Sequence, residues 1–112
     1  MDRKEQIRRY KETPRTAGIY RVLNSSNAKF LVGASVDAPA MLNRQRAQLR
    51  MGSHPNRALQ SDWDSDGDQM FIFEVLDALE PEDSPDYDPA EDLQALEELW
   101  REKLGVAAGA TY

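Results

Sequence analysis

Several side chains in this chain could meet a phosphate or a metal ion. The cations Arg44, Arg46, Arg50 and Arg57, with Lys29, crowd into 29 positions. Guanidinium groups pair with phosphate oxygens, so this concentration points to a phosphate-facing surface. Glu97 borders an apolar stripe, where a carboxylate can face a cleft, and Arg101 follows it at i,i+4, the spacing of a routine helix ion pair. His54 is the sole histidine, in "SHPN", where capping a helix or positioning a loop is its expected work. "DWDSDGD" places Asp62, Asp64, Asp66 and Gly67 like the start of an EF-hand calcium loop. Its twelfth position is Phe73, however, and the segment beyond Gly67 reads as a strand, so an acidic turn ending a helix is the plainer reading.

With no cysteine among 112 residues, disulfide scaffolds, thiolate metal sites and cysteine nucleophiles are excluded. No apolar run approaches membrane-spanning length, and "MDRKEQIRRYKE" lacks a signal peptide's apolar stretch, so a cytoplasmic protein is expected. The net charge of -6 conceals an asymmetry. Residues 1–57 carry 12 Lys/Arg against 4 Asp/Glu, and residues 58–112 carry 2 against 16. The basic half can bind phosphates if folding gathers its charges on one face. The acidic half offers a surface for a basic protein partner.

The elements that must hold these groups emerge from pattern. "DRKEQIRRYKE" reads as a short helical arm over 1–14. "GIYRVL" and "KFLVGAS" read as antiparallel strands joined by the turn residues "NSSNA". Asp37 and Pro39 start a helix that runs to about Met51 and stops at Gly52, with Met41, Leu42 and Leu49 as its apolar side. A second short helix buries Leu59 and Trp63 and ends at "DSDGD". "QMFIFEVLDAL" is a third strand, apolar on both faces, which predicts a central place in the sheet. Its alternation sends Phe71, Phe73 and Val75 one way and Met70, Ile72 and Leu76 the other. A last helix over about 90–104 carries the stripe Leu93, Leu96, Trp100 and Leu104. Residues 15–104 therefore make one α+β domain, a small three-stranded antiparallel sheet flanked by helices, before a weakly ordered tail over 105–112.

Gly18-Ile19-Tyr20 on the first strand and Leu31-Val32-Gly33 on the second resemble the hairpin of the GIY-YIG nucleases. The downstream order is similar too. "HPNRALQSDWDSDGDQMFIFEVLD" runs from a histidine/asparagine segment through a tryptophan helix and a glycine to a phenylalanine-rich strand. In "LEELWREKL", Glu97 precedes an aromatic residue by three. The resemblance implies a DNA endonuclease that hydrolyses phosphodiesters with Mg2+ or Mn2+, in repair or recombination. It implies Tyr20 as the base or water-orienting hydroxyl and Glu97 as the lone protein ligand of the metal. Gly18, Gly33, His54 and Asn56 would support the site. Lys29, Arg46, Arg50 and Arg57 would contact the DNA backbone with low sequence specificity. Tyrosine's ordinary pKa near 10 makes it a poor base, so Lys29 and the arginine helix are expected to lower it.

Several positions depart from the family pattern. Leu31 stands where the second motif has its tyrosine. Met41 stands where an arginine is expected, eight residues after the motif glycine, and Arg44, one turn later, is the substitute. Gln45 and Gln48 stand where a histidine or tyrosine follows that arginine. The alternative implied by Leu31 and Met41 is an impaired nuclease fold that binds nucleic acid, or a protein-interaction module.

Overall fold

The computed structural model describes residues 16–80, 87–105 and 111–112. The helical arm expected over 1–14 and most of the acidic loop lie outside them. The strands β1 (Gly18–Asn24), β2 (Phe30–Ser35) and β3 (Phe71–Ala78) form one antiparallel sheet in the order β2-β1-β3. The helices are α1 (Ala38–Arg50), α2 (Arg57–Asp66) and α3 (Ala90–Lys103).

β1 is the central strand, which corrects the place expected for β3. The reason lies in cover. Alternation on β1 sends Tyr20 and Val22 into a core with Leu42 and Leu49 of α1 and Leu59 and Trp63 of α2. It sends Ile19 to the opposite face, where Phe30 and Val32 of β2 meet Leu96 and Trp100 of α3. Helices thus cover both faces of β1. On the edge strand β3, Ile72 stays 43% and Val75 38% exposed. The pairing of β1 with β3 slips between Ile19, opposite Asp77, and Tyr20, opposite Val75. Leu76 is the extra residue of this bulge and packs on the α3 face.

The helix ends obey their capping residues. The Asp37 side chain accepts from the Ala40 N–H at 3.2 Å, and Gly52 beyond α1 takes a φ of 73°. Asn56 caps α2 by accepting from the Leu59 N–H at 3.1 Å. Thr111 bridges to Phe30, and the Tyr112 N–H donates to the Phe30 carbonyl at 2.9 Å, so these two residues of the expected tail are held at the sheet. Among the described residues no helix is long and apolar enough to cross a membrane.

Candidate active site

Tyr20 lies opposite Gly33 in the β1–β2 ladder, and its ring lies across that glycine. A Cβ at position 33 would stand 2.5 Å from the Tyr20 hydroxyl and 2.7 Å from Cζ, so only glycine lets the phenol pass over β2. Gly18 is fixed by a different approach, the carbonyl of Asp77 on β3 occupying the place of its Cβ. Both motif glycines are therefore contact sites for another group.

The Tyr20 side chain is buried, with the residue only 8% exposed. Its hydroxyl has no hydrogen bond among the described residues, yet none of their buried side-chain polar atoms lacks a partner. The hydroxyl is therefore the part of Tyr20 that reaches solvent, while the ring is held in the core. Burial raises its pKa above the ordinary phenol value, the Glu97 carboxylate adds to the rise, and Arg101 opposes it. This corrects the expected lowering by Lys29 and the arginine helix. Lys29 comes just after the hairpin turn, roughly 13 Å along β2 from Gly33 at about 3.3 Å per residue, and it acts on Asp62 instead.

Glu97 and Arg101 come from successive turns of α3, packed against β1 and β2 by Leu96 and Trp100. Arg101 donates to Glu97 Oε1 from Nη2 at 3.0 Å and from Nε at 3.2 Å. The same Nη2 donates to the Val32 carbonyl at 3.1 Å. The pair is thus tied to the β2 backbone beside Gly33, and both its charges act on the phenol. The Tyr20 ring over Gly33 and the Arg101–Glu97 pair at the Val32 carbonyl thus meet β2 at adjacent residues, and these four residues are the candidate site. The sequence signal for Arg101 was only its i,i+4 spacing from Glu97, which a plain surface ion pair would share.

The remaining expected residues sit elsewhere. Met41 packs against the core that holds Tyr20, and Leu31 is also partly buried against it. Arg44 is exposed on α1 and is not among the charges acting on Tyr20. Arg46 stacks its guanidinium 4.5 Å over the Phe73 ring, a packing contact on the β3 side. Arg50 ends α1 and Arg57 begins α2, both exposed. Arg44, Arg50 and Arg57 form no ion pair among the described residues.

His54 and Asn56 build the connection between α1 and α2. His54 Nδ1 accepts from the Asn56 N–H at 3.0 Å, which leaves the ring proton on Nε2, beside the Gln45 side-chain oxygen. Burial lowers the His54 pKa, and the ring is neutral. Gln60 donates to the Leu49 carbonyl and accepts from the His54 N–H, each at 3.0 Å. Gln45, at a position where the family has a histidine or tyrosine, is spent on this staple and on Met41 Sδ. The aspartates of "DWDSDGD" are acceptors within the fold. Asp62 takes the Tyr112 hydroxyl at 2.6 Å, Asp64 takes Gln60, and Asp66 takes the buried Asn24 amide at 2.9 Å. β3 comes after them in the chain, so no helix–loop–helix exists for calcium.

No family model and no curated protein matches the sequence. Solved structures do. The catalytic domain of homing endonuclease I-TevI is similar over 85% of this chain and 96% of its own, at 24% identity and a TM-score of 0.65. A mutant of the same catalytic domain, described as that of an intron endonuclease, is similar over 80% of this chain and 84% of its own, at 23% identity and a TM-score of 0.63. A three-stranded antiparallel sheet with these three helices, Tyr20 on its central strand and Glu97 on its closing helix, is a GIY-YIG-like fold.

Proposed function

We propose that this chain is a divalent-metal-dependent DNA endonuclease that hydrolyses phosphodiester bonds at the Tyr20–Glu97 site. One observation carries the reading: a core-held tyrosine presents an unpaired hydroxyl across Gly33, within electrostatic reach of a carboxylate from another element.

The donor set fits a hard cation. Among the described residues no three His, Cys, Asp or Glu side chains converge as a metal cluster. A single carboxylate suits Mg2+ or Mn2+, which keep most of their waters. Glu97 would hold the ion through Oε2, since Oε1 is engaged by Arg101. When bound, the cation supplies charge compensation on the phosphate.

Tyr20, with its raised pKa, is protonated at neutral pH. In that state it accepts a hydrogen bond from the attacking water and orients it. The water oxygen bonds to phosphorus and one ester P–O bond breaks. The water's proton goes to solvent and the departing alkoxide takes one up, leaving a phosphate monoester and an alcohol. Arg44, Arg50 and Arg57 contact the phosphate backbone, which carries no base sequence, so specificity for sequence is low. Repair or recombination is the setting that suits such an enzyme.

Plasmid DNA incubated with Mg2+ or Mn2+ tests the reading. The wild-type protein nicks or linearises it, and Tyr20→Phe and Glu97→Ala lose the activity, Tyr20→Phe by about 10²–10⁴-fold. Leu31 and Met41, apolar where the family has polar groups, favour a second reading, a nucleic-acid-binding domain. A wild-type protein that shifts DNA in a gel and leaves it uncut establishes that second reading and removes the first.

A further inference from the structure

The proposed chemistry asks for a fixed cation beside the reacting phosphate, and the helix after the hairpin does not bring one there. Met41 is packed against the core, and Arg44 is not among the charges that act on Tyr20. The guanidinium that lies at the site comes from α3. We propose that Arg101 is the phosphate-binding cation of the Tyr20–Glu97 site, taking the part that α1 does not supply.

The inference rests on the nuclease reading, and its support is a count of donors. A guanidinium carries five N–H groups in a rigid fork. Arg101 spends the Nε–H and the Nη2 donors on Glu97 Oε1 and on the Val32 carbonyl. Its Nη1 makes no bond among the described residues, so two coplanar N–H donors are unspent. The side chain is 43% exposed, against 28% for Glu97, so Arg101 is the more accessible member of the pair. Glu97 and the β2 backbone fix the plane of the fork from the other side. A guanidinium held in this way meets a phosphate oxygen without having to order itself first. The part of Arg101 is electrostatic only.

A surface ion pair would account for the Arg101–Glu97 bonds alone. It does not account for the bond to the Val32 carbonyl, which anchors the guanidinium beside Gly33 and the phenol lying across it. The arrangement also gives Glu97 two tasks, orienting Arg101 through Oε1 and holding the cation through Oε2.

Plasmid or oligonucleotide cleavage by Arg101→Met and Arg101→Lys separates the outcomes, with kcat and KM measured apart and thermal melting followed in parallel. Arg101→Met is expected to lower kcat by about 10²–10³-fold, the scale for losing one transition-state donor. Arg101→Lys, which keeps the charge and loses the fork, falls between it and wild type. Guanidinium chloride at millimolar concentration restores part of the Arg101→Met rate and leaves Tyr20→Phe unchanged. If wild type cuts and Arg101→Met cuts within a few-fold of it, Arg101 is not the cation and the nuclease reading stands. If Arg101→Met loses activity with its melting temperature and guanidinium restores nothing, Arg101 only anchors α3 and the proposal is overturned. If wild type leaves DNA intact, both readings fall together.

Discussion

Tyr20 is held by its ring and free at its tip, and its neighbours set the state of that tip. Burial and Glu97 push the phenol's pKa up and Arg101 pulls it down. Glu97→Gln should therefore lower the pKa of Tyr20, and Arg101→Met should raise it. Titration of the tyrosine Cζ resonances by carbon-13 NMR checks both signs. The same shift has a consequence for stability. Below about pH 10 the phenol is protonated folded and unfolded. Above that, the unfolded chain ionises first, so stability falls as pH rises through the folded pKa. Tyr20→Phe should flatten that alkaline decline in denaturation curves. Gly33 is the other residue-scale determinant. Gly33→Ala sets a methyl against the phenol and should destabilise by about 1–3 kcal/mol, the usual cost of forcing atoms into a packed site. Urea denaturation measures it, and an unchanged midpoint would mean that Tyr20 does not lie across the strand.

Elements hold the site by devices that have nothing to do with its chemistry. The turn between α1 and α2 is stapled by His54, Asn56 and Gln60, with Gln60 only 9% exposed. Gln60→Ala leaves the His54 N–H without its acceptor and the Leu49 carbonyl with only the Gly52 N–H, which costs about 1–3 kcal/mol for a buried group left unsatisfied. The staple is also sensitive to acid. The folded pKa of His54 lies below its ordinary 6.5 because burial disfavours the cation. Its contribution is complete above about pH 6.5, the unfolded value, and is lost as pH falls through the folded one. Protonation of Nδ1 also removes the acceptor for the Asn56 N–H. His54→Gln should therefore have a shallower acid-side loss of stability than wild type, tracked by denaturation at a series of pH values. An unaltered slope would mean that His54 is not the group that titrates.

At the scale of the molecule the question is how a chain of net charge -6 approaches DNA. The fold ties part of the acidic half into its own side-chain contacts. Asp62, Asp64 and Asp66 accept hydrogen bonds from other side chains, Asp77 accepts from the Trp100 indole at 3.0 Å, and Glu74 pairs with Arg21. Arg44, Arg50 and Arg57 remain exposed without ion pairs among the described residues. DNA affinity should accordingly fall steeply with salt, the logarithm of the binding constant dropping by about 0.9 per phosphate contact for each unit of log salt. Each of Arg44→Gln, Arg50→Gln and Arg57→Gln should reduce that slope by about one contact's worth while changing sequence preference little. Fluorescence anisotropy across a salt series checks this, and a flat response would remove the arginines from the interface.

What the sequence determined by itself was local. Capping by Asp37, the stop at Gly52, the alternation of β1 and the i,i+4 stripes all act within a few residues of chain, where geometry leaves few choices. The pairing of strand triplets with Glu97 was legible only as an ordered pattern. Which strand lay central was decided by cover: β3 looks as apolar as β1, and only helices on both faces distinguish them. The state of Tyr20 was decided by burial and by two charges 77 and 81 positions away along the chain. The orientation of Arg101 depended on the Val32 carbonyl, a backbone group that no side-chain pattern reveals. Electrostatics and packing act across space, so residue types named the candidates and tertiary contact chose among them.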